Sequence, residues 1–162
     1  MEVWVTNLQN KVAVSSEFIR RVVTHVLAAS GCDDAVEVSV ALVDDAYIRE
    51  LNREYRDVDA PTDVLAFPME GEDHGPVRML GDIVVSLERA RDQARQFKQP
   101  LKREIALLTI HGVLHLLGHE DETEAGASTM WQRQKAILAK FEEGRSPAAP
   151  QRVGRAKKKA YG

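Results

Sequence analysis

The stretch His111-Gly112-Val113-Leu114-His115-Leu116-Leu117-Gly118-His119-Glu120-Asp121 carries two histidines four residues apart in an apolar segment. Because residues four apart lie on one face of a helix, both imidazoles can bind the same metal ion. Gly118 can end the helix in a left-handed conformation, after which the chain can fold back toward that ion. Three protein ligands with an open fourth position are typical of a catalytic zinc site. The stretch therefore predicts a metal-bearing helix that ends in a glycine turn.

The third metal ligand has two candidates, both of which follow the glycine. An unbroken helix would place His119 on the same face as the two earlier histidines, whereas a helix that ends at Gly118 would not. Asp121 comes two residues later, where a returning chain can bring a side chain to the metal. We favour Asp121 as the third ligand and keep His119 as the alternative.

The residue types around the histidines favour metal binding over packing. An unpaired imidazole among leucines and valines would be costly, and metal ligation removes that cost. Cys32 is the only cysteine, so a metal must rest on histidine and carboxylate. Zinc peptidases of the His-Glu-x-x-His type carry their general base directly after the first histidine. Gly112 occupies that position, which argues against peptide hydrolysis and leaves room for phosphodiester chemistry.

The composition is that of an ordinary globular domain, with 162 residues of which 44% are hydrophobic and 29% charged. This length is sufficient for one domain with a real core. No apolar run approaches the ~20 residues that a membrane helix needs, and the first residues lack the pattern of a signal peptide. The single cysteine fits a reducing compartment. We therefore expect a cytoplasmic protein with no membrane partner.

Hydrophobic periodicity predicts a mixture of strands and helices. Alternating apolar residues predict strands at residues 2–7, 36–43, 62–67 (an edge strand) and 81–85, with a loop over residues 71–79. Apolar stripes and capping residues predict helices that begin near Ser15, Asp44, Ser86, Pro100 and Thr123 and end near residues 31, 55, 97, 118 and 141. Because no regular βαβ rhythm is visible, we expect an α+β fold, in which a small mixed β-sheet packs with about five helices.

Three segments share their order and spacing with a known family. The segment from His111 to Asp121 follows, without a gap, the zinc motif His-Gly-x-Leu-His-Leu-x-Gly-Tyr-Asp-His. The segment Asn52-Arg53-Glu54-Tyr55-Arg56 and residues 59–68 match Asn-x-x-Tyr-Arg followed by Asp-x-Pro-Thr-Asp-Val-Leu-Ser-Phe-Pro, and residues 80–83 match Leu-Gly-Asp-Ile. From about Val3 to Phe141 the chain thus resembles the YbeY endoribonucleases, which are bacterial factors of ribosomal RNA maturation.

One ligand departs from the family pattern. The family's third metal ligand is a histidine, and the ungapped register puts Asp121 there. The register is supported by Met130-Trp131, which falls where the family often has Met-Trp. The resemblance therefore implies one zinc ion held by His111, His115 and Asp121. A carboxylate lowers the net charge of the ion and its ligands, so bound water should be a weaker acid than at a three-histidine site. The site should also accept metals that prefer oxygen.

The resemblance also implies a fold and an activity. The fold is α+β, with the metal-bearing helix beside the sheet and a metzincin-like metal site. The activity is that of a metal-dependent endoribonuclease that prefers single-stranded RNA. The implied partners are ribosomal RNA and the small ribosomal subunit, and the implied roles are maturation of the 3′ end of small-subunit ribosomal RNA and ribosome quality control. A rival interpretation is a ribosome-associated assembly or binding protein whose metal is structural.

The family's catalytic arginine falls on Arg56. A guanidinium can grip a phosphate through two N–H groups and can stabilise the charge that develops during phosphoryl transfer. The alternative is an arginine that caps the end of its own helix. The resemblance therefore implies that Arg56 is catalytic.

Charge is distributed unevenly along the chain, whose net charge is −3. Residues 142–162 carry six basic and two acidic side chains, which gives +4 and leaves −7 for residues 1–141. We expect a metal-dependent ribonuclease domain over residues 1–141 and a basic, disordered tail over residues 142–162. The tail is either a solvated end or an arm that contacts RNA phosphates. Because the body is acidic, RNA binding would need a local basic groove formed by Arg49, Arg53, Arg56 and Arg78.

Overall fold

The sheet is built from four strands, seen in a computed structural model that describes residues 1–69 and 75–144. The strands are β1 (Glu2–Asn7), β2 (Val36–Val43), β3 (Val64–Pro68) and β4 (Arg78–Ser86). Their order across the sheet is β1-β2-β4-β3. β2 runs parallel to both of its neighbours, and β3 pairs antiparallel with β4 at the edge. The predicted mixed sheet with an edge strand is confirmed, although β3 begins two residues later than predicted and includes Pro68.

Five helices pack on this sheet within the described residues. They are α1 (Ser16–Ala29), α2 (Asp45–Arg56), α3 (Leu87–Gln96), α4 (Leu101–Leu116) and α5 (Glu124–Glu142). Four of them begin at a side chain that accepts a hydrogen bond from a backbone N–H of the first turn, namely Ser15, Asp44, Ser86 and Thr123. These caps are the ones that the sequence predicts. The α+β class is confirmed, and the predicted tail lies outside the described residues from residue 145 onward.

β4 begins three residues earlier than the sequence predicts. The predicted loop over residues 71–79 includes Arg78 and Met79, yet both belong to β4 and pair with β2. The register shifts before Gly81, whose φ of 142° few other residues adopt. A Cβ at Gly81 would also lie 2.3 Å from the carbonyl oxygen of Phe67. The early start therefore depends on pairing with a distant strand, which the local hydrophobic pattern does not reveal.

α4 is the central helix of the molecule. It contacts α1, α3 and α5 as well as β3 and β4. Its apolar residues are buried on several faces, including Ile105, Ile110, Val113 and Leu114. A helix that is apolar around most of its circumference is a core helix in a protein of this kind. Within the described residues, no helix is both long and apolar enough to cross a membrane.

Candidate metal centre

α4 ends in the glycine turn that the sequence predicts. Gly118 has a φ of 98°, and its N–H donates to the carbonyl oxygen of His115 at 3.0 Å. The N–H of His119 donates to the carbonyl oxygen of Leu114, also at 3.0 Å. These two bonds together form a Schellman motif, which closes a helix C-terminus. The chain therefore leaves the helical path before residue 119, as the choice of Asp121 over His119 requires.

His111, His115 and Asp121 bring three potential ligand atoms together. The Nε2 atoms of the two histidines lie 3.0 Å apart, and Oδ2 of Asp121 lies 3.7 Å from Nε2 of His111 and 3.6 Å from Nε2 of His115. A triangle with these sides has a point about 2.0 Å from every corner, which equals the Zn–N bond length. The three ligand atoms are therefore close enough together to bind one metal ion. His119 is not a member of this cluster.

The cluster is open to solvent on one side. The side chains of His111, His115 and Asp121 are 26%, 28% and 45% exposed. A structural zinc site closes all four positions with protein ligands, whereas a catalytic site keeps one open. Three ligand atoms at a partly exposed position match the second arrangement.

Gln134 of α5 holds the His111 ring. The Nδ1 atom of His111 hydrogen-bonds Oε1 of Gln134, whose residue is only 5% exposed. Since an amide oxygen only accepts, Nδ1 carries the proton and Nε2 keeps its lone pair for a cation. Sequence analysis missed Gln134, which lies 23 residues from His111. The available signal is a polar residue within the buried stripe of α5, between Met130 and Ile137.

The pKa of His115 is lowered, first by burial and second by the neighbouring His111. The neutral imidazole is the form that binds metal ions. The environment of His115 therefore favours ligation near neutral pH.

Glu120 organises the loop that carries Asp121. Its carboxylate accepts from the N–H of Glu122 at 2.7 Å, from the N–H of Thr123 at 3.3 Å and from the hydroxyl of Thr123 at 3.1 Å. A Cβ at Gly126 would lie 2.7 Å from the backbone carbonyl oxygen of Glu120, so a glycine is needed there. The loop is thus fixed to the first turn of α5.

Position 112 faces β4. A Cβ there would lie 2.7 Å from Cγ2 of Ile83, a buried side chain of that strand. A glutamate at this position would collide with β4. The close packing of α4 on β4 thus supports the argument against peptidase chemistry that rests on Gly112.

The comparisons with known proteins agree on one family. A family model described as Endoribonuclease YbeY matches residues 4–142. This chain belongs to the YbeY endoribonuclease family. It is 46% identical to the endoribonuclease YbeY of Moorella thermoacetica over 150 residues, which cover 86% of this chain and 96% of that relative. The YbeY of Pelotomaculum thermopropionicum is 46% identical over 148 residues, which cover 87% and 97% of the two chains.

A solved structure has a similar fold. The solution structure of a protein from Thermotoga maritima is similar with a TM-score of 0.61 and 29% sequence identity. The match covers 94% of this chain and 99% of that one. The YbeY resemblance that the sequence motifs indicate is confirmed.

Arg56, which matches the YbeY arginine, lies beside the cluster. It is the last residue of α2, and one of its N–H groups donates to the carbonyl oxygen of Ala66 in β3 at 3.1 Å. Its Cζ lies 5.8 Å from the centre of the Phe67 ring. With His111 and His115 it lines a cavity of about 80 Å³. Among the described residues its one hydrogen bond goes to β3, and its side chain lines the same cavity as the histidines.

The predicted basic groove on this YbeY chain is weaker than expected. Arg49 forms an ion pair with Asp59 at 2.8 Å, and Arg53 forms one with Glu50, also at 2.8 Å. Each pair cancels a positive charge on α2. Of the three arginines of this helix, only Arg56 is left without a carboxylate partner in the described part of the chain.

Proposed function

We propose that this chain is a zinc-dependent endoribonuclease that prefers single-stranded RNA. His111, His115 and Asp121 are its metal ligands, and Arg56 is its catalytic phosphate-binding residue. The observation that supports this proposal is the cavity that Arg56 and both histidines line. Membership of an endoribonuclease family supplies the reaction class.

The metal ligands, Gln134 and Arg56 would each have a separate role in the reaction. A zinc ion held by these three residues would supply Lewis acidity and would activate water for attack on the phosphodiester. Gln134 keeps the His111 ring in the tautomer that presents Nε2. Arg56 binds the non-bridging phosphate oxygens and stabilises the charge that they gain in the transition state. The Ala66 carbonyl holds the guanidinium in place for this role.

We further propose that the substrate is ribosomal RNA. The chain then acts in the cytoplasm on the small ribosomal subunit, in maturation of the 3′ end of its RNA and in ribosome quality control. Residues 1–141 form the nuclease domain, and residues 142–162 are a basic C-terminal tail. The charge of that tail gives it affinity for the phosphates of ribosomal RNA.

The first test combines metal analysis with a cleavage assay on single-stranded and structured RNA. We expect about one zinc per chain, loss of cleavage on chelation and recovery on zinc addition. His115→Ala should bind little zinc and cut no RNA. The chelated protein should stay folded at 25 °C by circular dichroism. Cleavage that survives metal removal would refute the proposal, and unfolding of a protein that never cuts RNA would favour the structural-metal rival.

The second test addresses Arg56. Lysine keeps the charge but loses the planar fork of donors, so Arg56→Lys should lower kcat by about 10²- to 10³-fold with normal zinc content. Arg53→Lys is the matched control, since Arg53 is ion-paired at the surface of the same helix. Full activity of Arg56→Lys would show that Arg56 is not catalytic.

A further inference from the structure

A second cleft begins at the metal cluster, and Arg56 does not line it. Its volume is about 350 Å³, and both His111 and Asp121 line it. Phe97 and Trp131 line it as well. Pockets of about 300–1,000 Å³ hold small organic molecules. The cleft therefore has room for a planar group next to the ion.

Two exposed aromatic side chains lie at this cleft. Phe97 is 61% exposed and Trp131 is 50% exposed. Phe97 caps the end of α3 and Trp131 belongs to α5, so two separate parts of the chain contribute an aromatic ring to this cleft. Single exposed apolar residues are common on protein surfaces. Two aromatic rings at one cleft form a surface on which nucleobases stack.

The remaining residues of the cleft suit bases and not phosphates. Its polar lining includes Asp63, Gln93, Glu104 and Gln134, whose amide and carboxyl groups are of the kind that hydrogen-bond base edges. Oε1 of Gln134 already binds His111, and Oε1 of Glu104 already binds Gln99. None of the described residues that line the cleft is lysine or arginine. A described cation near the cleft is Lys135, whose Nζ lies 5.8 Å from the centre of the Trp131 ring.

Positive charge lies in the adjoining pocket. That pocket has a volume of about 430 Å³ and is lined by Arg91, Arg95 and Lys98. Gln99 also lines it, and its Nε2 hydrogen-bonds Oε1 of Glu104 in the first cleft. None of the three cations forms an ion pair with a described residue, and Nε of Arg91 is buried without a hydrogen-bond partner.

We propose that single-stranded RNA follows these two pockets away from the metal. Bases next to the scissile phosphate stack on Phe97 and Trp131, and the phosphates beyond them bind Arg91, Arg95 and Lys98. This inference rests on the proposed function, because it takes the cluster as the point of cleavage. It explains a preference for single strands, since the bases of a duplex are stacked on one another and cannot enter the cleft. Arg91, Arg95 and Lys98 would then be the local basic surface that RNA binding to an acidic protein requires.

Tryptophan fluorescence tests the stacking directly, because Trp4 and Trp131 are the only tryptophans. In Trp4→Phe, all tryptophan emission comes from Trp131. Rapid mixing with an adenosine hexaribonucleotide should quench this emission within milliseconds, before cleavage. An abasic hexamer keeps the phosphates and should not quench it. Equal quenching by both oligonucleotides, or none by either, would overturn the proposal.

Steady-state kinetics test the contribution of each ring. Phe97→Leu and Trp131→Leu should each raise KM for single-stranded RNA by about 5- to 150-fold, with a smaller effect on kcat. Phe97→Tyr and Trp131→Phe keep an aromatic face and should restore most of the affinity. Trp4→Leu is the control. Trp4 is 55% exposed, does not line the cleft and lies on β1, the edge strand opposite β3. An unchanged KM in both leucine variants would refute the stacking site.

Salt dependence tests the basic pocket. Arg91→Gln, Arg95→Gln and Lys98→Gln each remove one positive charge, and each should reduce the slope of log Kd against log salt by about 0.7. Unchanged slopes in all three variants would remove this pocket from the RNA path. If wild type cuts RNA and the variants have the same KM and salt dependence as wild type, the proposed RNA path is refuted and the proposed function stands. If wild type cuts no RNA, the proposed function fails, and fluorescence quenching still decides whether the cleft binds bases.

Discussion

Replacing Gln134 by leucine should weaken zinc binding by about 10- to 100-fold. Gln134 is the acceptor for Nδ1 of His111, and it is the described contact that fixes which nitrogen of this ring faces the ion. Partners of this kind typically contribute 10- to 100-fold to metal affinity. The change leaves all three proposed ligands in place, so it isolates the effect of orientation.

The burial of Gln134 leads independently to a similar expected loss of zinc affinity. Gln134 is 5% exposed, so leucine leaves the Nδ1–H group of His111 without an acceptor and largely shielded from water. An unsatisfied donor of this kind costs about 1–3 kcal/mol, and each 1.4 kcal/mol is tenfold in affinity. Because leucine suits the buried stripe of α5, the metal-free protein should unfold at nearly the same temperature as wild type.

The assay is competition for zinc against a chromophoric chelator at pH 7.5. Gln132→Leu is the matched control, since Gln132 is exposed two residues earlier on α5. Gln134→Glu keeps an acceptor oxygen and should bind zinc at least as tightly as wild type. A zinc affinity of Gln134→Leu within twofold of that of Gln132→Leu would refute the reasoning.

Three further predictions concern the ligand set, the core and pH. Asp121→His should shift the rise of activity with pH toward lower pH, because a third neutral imidazole makes bound water more acidic; an unmoved pH profile would count against Asp121 as a ligand. Gly112→Ala should destabilise the protein by about 1–3 kcal/mol in denaturant titrations, because its Cβ would lie 2.7 Å from buried Ile83; a loss below about 0.5 kcal/mol would contradict this packing. Burial lowers the pKa of His25, so the unfolded chain binds more protons and stability should fall as pH drops below about 6.5. His25→Phe should flatten this decline in melts at pH 5 and pH 7, and an unchanged slope would show that His25 does not cause it.

Features set by neighbouring residues could be predicted from the sequence. Ser15, Asp44, Ser86 and Thr123 each accept from the N–H group three residues ahead, so each cap is visible as a local pattern. The turn at Gly118 is equally local, because its hydrogen bonds join residues of a single helix end. The approach of Asp121 to the histidines follows from that turn.

Features set by distant residues could not be predicted in this way. The early start of β4 depends on pairing with β2, whose partner residues lie about 40 positions earlier. The bond of Gln134 to His111 joins two helices, and that of Arg56 to Ala66 joins a helix to a strand. Family resemblance identified Arg56, but only the structure shows that it lines the same cavity as the histidines.

The carboxylate of Asp121 in the ligand set should increase the contribution of Arg56 to phosphate binding. Zinc held by two neutral imidazoles and one carboxylate carries a net charge of +1, whereas three imidazoles would leave +2. Arg56 supplies a second positive charge in the same cavity. A phosphate bound there should therefore depend more on the arginine than it would beside a three-histidine site. A double-mutant cycle measures this coupling.

In that cycle, Arg56→Gln, which removes the positive charge, should lower kcat/KM less in the Asp121→His background than in the wild-type background. The physical reason is that the more positive ion then carries a larger share of the charge on the phosphate. Zinc content must be matched in all four proteins, so that a loss of metal is not mistaken for a loss of catalysis. Equal losses of kcat/KM in the two backgrounds would mean that Arg56 and the third ligand act on the phosphate independently. The carboxylate of Asp121 would then not increase the dependence of the reaction on Arg56.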